Sequence, residues 1–268
     1  MEILIDCIKD TIIIFPTIFI LYVIIEWISD KKIHLNQFSN LGVMIGGLLG
    51  LLPECGTSIM GAKLFSLNQI SLGTLMAIFI ASSDEAMVIL LSESTLNKKI
   101  WRLLLLKVLL GIIIGFIVDR FWQFSKQTEV ELSHDHHHKD HSIFKHALHH
   151  TMKIIAFVFI SQIIISLIIA IIGEETVMSF LNAHQIFQPL IAGLIGLIPS
   201  CAGSMILAQV YLNGMLSYAA LFTGLSCSTG LGLLTLYRYH TNKSLCINIT
   251  LALYVISVIV GYSILFIS

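Results

Sequence analysis

Charge is what this sequence has least of. Only 12% of its 268 residues are Asp, Glu, Lys or Arg, against about a quarter in ordinary globular domains. The formal net charge is −1. No basic stripe is present to neutralise phosphates, so a nucleic-acid partner is excluded. No Walker phosphate loop, nucleophile elbow or Gly-x-Gly-x-x-Gly turn occurs, which removes ATP-driven transport by this chain and the common dinucleotide and acyl-hydrolase sites. The five cysteines are an odd number. Cys55, Cys201 and Cys227 lie at predicted membrane depth, where a disulfide framework is not expected. The first apolar run, Thr11 to Ile28, follows the acidic residues Glu2, Asp6 and Asp10 rather than a basic leader. It reads as a retained helix.

What is there instead is apolar length. Hydrophobic residues make up 56% of the chain and the mean hydropathy is +0.91. A soluble fold has no way to hide several runs near the roughly 20 residues that span a bilayer. The runs predict spans at 11–28, 70–91, 100–119, 148–172, 214–237 and 245–267. Two further segments, 41–67 and 186–213, are interrupted by the phrases "GLLPECGTS" and "GLIPSCAGS". Each leaves arms that reach about half way across.

The chain is written twice. A shift of 146 positions sets Gly47 on Gly193, Gly50 on Gly196, Pro53 on Pro199, Cys55 on Cys201, Ser58 on Ser204, Ala62 on Ala208, Ser71 on Ser217 and Ser82 on Ser228. The organisation is a first membrane repeat at 1–119, a hydrophilic His-rich linker at 120–147 and a second repeat at 148–268. If each interrupted segment is a hairpin, one repeat makes three crossings and the second is inverted relative to the first. Basic residues favour that arrangement: one face collects Lys31, Lys32, Arg120, Lys126, Lys139, Lys145, Lys153, Arg238 and Lys243, and the other only Lys9, Lys98, Lys99 and Arg102. The positive-inside rule then puts the linker in the cytoplasm. The expected fold is an all-α polytopic membrane protein built from two inverted repeats, with about ten helical segments.

Irregular backbone at membrane depth survives only where protein buries it or a polar cavity solvates it. Two related breaks therefore suggest a shared midplane cavity of the kind secondary transporters use. Pro53 and Pro199 free carbonyls beside Cys55 and Cys201, with Ser58 and Ser204 close by in sequence. Asp84 and Lys107 are charges inside spans, and such residues are functional by default. Counted from the turn between their spans, both lie roughly 10 Å below the surface, so they are expected to pair. The positions matching them in the second half, Gly230 and Leu253, are both uncharged. Ser82 and Ser83 flank the acid, and Cys227 stands in the aligned "SCST" stretch as a third thiol.

The phrases "GLLPECGTSIMGAKL", "IASSDEAMVILLSE" and "GLIPSCAGSMILAQV" resemble the ten-helix heavy-metal exporter family, whose members are called manganese transporters or arsenic efflux proteins. The resemblance covers most of the chain and implies metal export across a bacterial plasma membrane. On that reading the substrate path holds Pro53, Cys55, Ser58, Ser82, Ser83, Asp84, Pro199, Cys201, Ser204 and Cys227, with Cys55, Cys201 and Asp84 as metal ligands. Manganese is the first expectation for the cargo, with zinc, iron and cobalt as other divalent candidates and no resident cofactor. Three thiols also suit trivalent arsenic, whereas manganese prefers carboxylates and carbonyls. An intramembrane enzyme is the rival of another class, but His184 and His240 fall near span ends and complete no catalytic set. The expected partners are the lipid bilayer and the metal ion; a homo-oligomer is compatible with the sequence.

The linker carries His134, His136, His137, His138, His141, His146, His149 and His150, interleaved with Asp135 and Asp140. Imidazole and carboxylate together bind divalent transition metals. This tract is expected to collect or sense metal outside the transport site. Deleting residues 134–141 should therefore shift the metal concentration at which efflux saturates while leaving maximal efflux in place; loss of all efflux from a folded deletion would put the loop on the obligatory path.

Overall fold

A computed structural model describes residues 39–52, 55–82, 85–92, 97–121, 186–199 and 201–267, with single positions at 19, 152 and 160. The described residues form α1 (Ser39–Leu49), α2 (Cys55–Ser66), α3 (Leu72–Ala81), α4 (Glu85–Ser92), α5 (Asn97–Phe121), α6 (Gln188–Gly196), α7 (Cys201–Leu212), α8 (Tyr218–Cys227), α9 (Leu231–Tyr239) and α10 (Lys243–Ile267). No strand occurs among them. The expected spans at 11–28 and 148–172 and the His-rich linker lie outside the described residues, apart from the single positions.

Local signals account for where these helices start and stop. Ser71 caps α3, its Oγ accepting from the Thr74 amide at 3.1 Å. Ser217 caps α8 in the same way, accepting from the Ala220 amide at 3.2 Å. Such a cap satisfies one of the amides that a helix start leaves unpaired. After α2 the chain turns at Asn68 (φ 56°), and after α7 at Gly214 (φ 74°). These are the two residue types that enter the left-handed region most readily. The turns are closed by Gln69 N donating to Leu64 O at 2.9 Å and Met215 N donating to Val210 O at 3.1 Å.

The expected spans at 100–119 and 245–267 are continuous helices, α5 and α10. Those expected at 70–91 and 214–237 occupy the predicted positions but are not continuous. The first divides into α3 and α4 after Ser82, and the second into α8 and α9 across Ser228, Thr229 and Gly230. Small polar residues end these helices from within the apolar run, because their side chains compete for backbone partners, and Gly230 takes a positive φ of 52°. Interruptions therefore exist at these two spans as well as where α1 gives way to α2 and α6 to α7. The bounds of α2, α3 and α5 recur 146 residues later in α7, α8 and α10.

Three stretches among the described residues are long and apolar enough to cross a membrane: Lys98–Phe121, Tyr218–Tyr239 and Lys243–Phe266. Within its apolar window the middle stretch is 94% buried, the first 39% and the last 28%. Thus α8 and α9 form the centre while α5 and α10 line the perimeter. Trp101, Leu105, Leu109, Ile113 and Ile117 form an exposed stripe along α5, and Ile247, Leu251, Val255 and Ile259 form one along α10. Residues four apart share a helix face, so each perimeter helix turns a continuous apolar strip outward, as a bilayer requires. The protein is a multi-pass membrane protein.

Packing directions follow from close contacts at glycine. A Cβ on Gly42 would lie 2.9 Å from Thr74 Oγ1, and one on Gly50 2.7 Å from Ala81 Cβ, so α1 and α3 run in parallel. A Cβ on Gly111 would lie 2.8 Å from Ala77 O, and one on Gly115 2.7 Å from Gly73 O, so α5 runs antiparallel to α3. Helix α2 returns along α3, with Gly61 against Ile78. Small residues admit this close approach where no hydrophobic driving force operates between helices. Asp119 on α5 fixes the outer end of α3, accepting from Ser71 Oγ at 2.6 Å and from the Gly73 amide at 2.7 Å. At α8, Gln188 does related work: its Oε1 accepts from the Ser217 amide at 3.0 Å and its Nε2 donates to Met215 O at 3.1 Å.

The early and late helices are interlocked rather than side by side. Helix α2 packs on α9, and α4 on α7. In the first seam Ser58 meets Gly232, Lys63 lies 3.9 Å over the Tyr239 ring, and the Phe65 and His240 rings are 5.4 Å apart. His240 is 4% exposed, and its Nε2 is buried without a partner among the described residues. Burial, and then the Lys243 ammonium, hold its pKa below the ordinary histidine value. A folded-state pKa that is lowered for a base costs nothing above about pH 6.5, where both states are neutral, and destabilises as pH falls below it. Melting measured in detergent at pH 7.5 and 5.5 should show a loss at the lower pH that is smaller in His240→Phe; equal losses would remove His240 from the seam's pH dependence.

Candidate functional site

The four interruptions meet. Gly50, just past the end of α1, sits against Ala81 and Ser82 at the end of α3: a Cβ on it would come 3.0 Å from Ser82 N. Gly196, the last residue of α6, abuts Gly224 O, and a Cβ there would lie 3.1 Å from Cys227 Cβ at the end of α8. The helices leading into 53–54 and 83–84 therefore end side by side, as do those leading into 198–200 and 228–230. Helix α9 starts next to the first turn of α2, where a Cβ on Gly232 would lie 2.7 Å from Ser58 Cβ.

One charge joins the two sets. Lys107, on α5, is 1% exposed. Its Nζ donates to Ser82 O at 2.5 Å and to Leu225 O at 2.7 Å. Both acceptors follow from the breaks. Ser82 is the C-cap of α3 and has left the helix, with φ −49° and ψ 128°. Leu225 O would receive the amide of Thr229 in a continuous helix, but that amide donates to Cys227 O at 3.0 Å. A helix end leaves carbonyls unpaired and carries about half a negative charge. Two such ends meet at a single ammonium.

The surroundings are polar for so apolar a chain. Thr57, Ser58, Ser82, Ser204, Ser226, Ser228, Thr229 and Ser257 are all buried. Ser226 Oγ and Thr229 Oγ1 have no hydrogen-bond partner among the described residues, and Ser257 lies beside the Cys227 thiol. Cys227 is buried as a free thiol.

The predicted path residues divide as follows. Ser58, Ser82, Ser204 and Cys227 are buried in the interior, and Ser82 and Cys227 stand at the ends of α3 and α8. Pro199 is half-buried just after α6. Cys55 and Cys201 are the first residues of α2 and α7. Pro53, Ser83, Asp84 and the eight loop histidines lie outside the described residues. So does the expected Asp84 partnership of Lys107, whose two carbonyl acceptors were not expected. Among the described residues no group of three His, Cys, Asp or Glu side chains could hold a metal ion. Ser226, Thr229 and Ser257 were missed. In the 146-residue register Thr229 matches Ser83, and that carried its signal; Ser226 matches Ile80, and Ser257 is one serine in an apolar run, so neither had one.

The sequence model of a family described as "Putative, 10TM heavy-metal exporter" matches residues 2–141 and 120–267. No similar chain was found among curated proteins or solved structures.

Replacing Lys107 by Met removes the donor and strands two buried carbonyls, at about 1–3 kcal/mol for each unpaired group. The variant should melt clearly below wild type in detergent. Replacement by Arg, which keeps the charge, should retain more of the stability. A Lys107→Met protein as stable as wild type would show that the bridge contributes nothing.

Proposed function

The chain belongs to the heavy-metal exporter family whose model it matches almost end to end, and from that premise we propose that it is a secondary exporter of a divalent metal, manganese first. The path runs through the meeting point of the four interruptions. The observation that carries this reading is the joining of two interrupted helices, one from each half, at one buried charge. Breaks of this kind present carbonyls and half-helix ends to a substrate.

The inverted repeat fits the same geometry. Helix α2 runs parallel to α9, since Ser58 faces Gly232 and Phe65 faces His240, and it runs opposite to α3. If α9 continues the direction of α8, then α3 and α8 are antiparallel, as two repeats of opposite orientation require. Alternating access would then be a rocking of one repeat against the other about the fixed site. With the linker cytoplasmic, its histidines would gather metal on the side from which export begins.

In this reading Asp84 supplies the negative charge, Cys55 and Cys201 supply sulfur, and freed carbonyls complete the shell. A carboxylate is needed. A dication about 5 Å from Lys107 would be repelled by about 7 kcal/mol at an effective dielectric of about 20. Metal and ammonium therefore compete for the centre, and Asp84 is placed in sequence to serve either.

A second reading, export of arsenite or an organoarsenical, is favoured by the burial of the Cys227 thiol at the same convergence. A neutral arsenic species would not be repelled by Lys107. Uptake into inverted vesicles separates the two. For manganese, Asp84→Asn should lower uptake by about tenfold or more, and the double substitution Cys55→Ala, Cys201→Ala should impair it as well. Arsenite uptake that survives Asp84→Asn and vanishes in the double cysteine variant, with no manganese uptake by wild type, would establish the second reading instead.

A further inference from the structure

We propose that the carbonyls of Ser82 and Leu225 form a monovalent-cation site, and that Lys107 fills it as a tethered ammonium in place of a dissociable coupling ion. The inference rests on the exporter reading for its role, though not for the existence of the site.

The site is built from the whole fold. One oxygen comes from the end of α3 and the other from the last turn of α8, so each half of the molecule provides one ligand. Neither carbonyl is available in a continuous helix; both exist as acceptors because α3 ends at Ser82 and α8 at Ser228. Two converging negative helix ends attract a cation, and half-helix C-terminal ends with unwound carbonyls are a known way of holding a coupling ion. The ligand here is already cationic. Lysine presents a compact charge with rotatable donors on a flexible stem, so it can reach the site, leave it and return without dissociating from the protein. Position 253, which matches 107 in the second half, is the buried Leu253. A single tether thus serves carbonyls from both halves.

The arrangement has a functional consequence. A carrier must return empty after releasing cargo, and an empty cavity with two unpaired helix ends is unstable. An ammonium that enters as the metal leaves keeps the centre satisfied through the return step. Wild-type transport should then depend on no particular external alkali cation, and removal of the side chain should leave a site open to an external one.

The test uses Lys107→Ala purified in detergent, with melting followed in ammonium, methylammonium, potassium, sodium and choline chlorides at equal ionic strength. Choline is too large for the site and serves as the reference. At least one small cation should raise the melting temperature of the variant by about 2–4 °C or more, with no such difference in wild type. Lys107→Ser, which adds an oxygen beside the same cavity, should respond in the same way. Lys107→Met, which fills the space with an apolar chain, should not respond. The proposal is overturned if folded Lys107→Ala and Lys107→Ser melt alike in all five salts. It is equally overturned if neither variant can be recovered folded even when solubilised in ammonium or potassium. Because the readout is melting, a wild-type protein that moves no metal would sink the exporter reading and leave this result standing.

Discussion

A buried ammonium held by two helix ends is the constraint on which the rest of the structure depends. In a low-dielectric interior an unpaired charge is expensive, and so is an unpaired carbonyl. Lys107 resolves both costs together, and it can do so only if the ends of α3 and α8 come within hydrogen-bonding distance of one point. That requirement constrains the relative position of the two halves, beside the apolar clusters to which both halves contribute.

Close packing makes the convergence possible. The end of α1 reaches Ser82 only because Gly50 has no side chain, and the end of α6 reaches Gly224 only because Gly196 has none. The same economy appears along α5, where Gly111 and Gly115 bring its backbone against α3 and so carry Lys107 to the level of Ser82. The outer ends are anchored separately, by Asp119 at α3 and Gln188 at α8. Both broken helices are thus pinned at the surface and tied at the centre, and the seams of α2 on α9 and α4 on α7 cross between the halves. A fold pinned in this way can exchange its central contacts without losing its perimeter.

Much of this was legible in the sequence. Apolar run lengths gave α5 and α10 to within a few residues, and the 146-residue register matched the helix bounds. The family itself could be read from the Pro-x-Cys and "SSDE" phrases. The breaks in α3–α4 and α8–α9 were not read, because the runs at 70–91 and 214–237 are long enough to span and hydropathy averages over a few serines. Proline advertises a break; Ser82, Ser228 and Thr229 do so only when the backbone has somewhere to send its freed carbonyls. That destination, Lys107, was visible as an intramembrane charge but was assigned only a side-chain partner. Backbone acceptors leave no trace in residue identity, and neither does the burial of Ser257 near this centre.

The account stands or falls on whether the central tie holds the halves together. The most direct measurement is oxidative cross-linking of Phe65→Cys with His240→Cys, the ring pair 5.4 Å apart across the α2–α9 seam, quantified by mass spectrometry with Lys107 intact and with Lys107→Met. The account predicts efficient cross-linking in the first and a clear loss in the second, because releasing Ser82 from Leu225 frees one half to move against the other. Equal cross-linking in both would show that the seam is held by packing alone, and that the buried ammonium is a passenger in it.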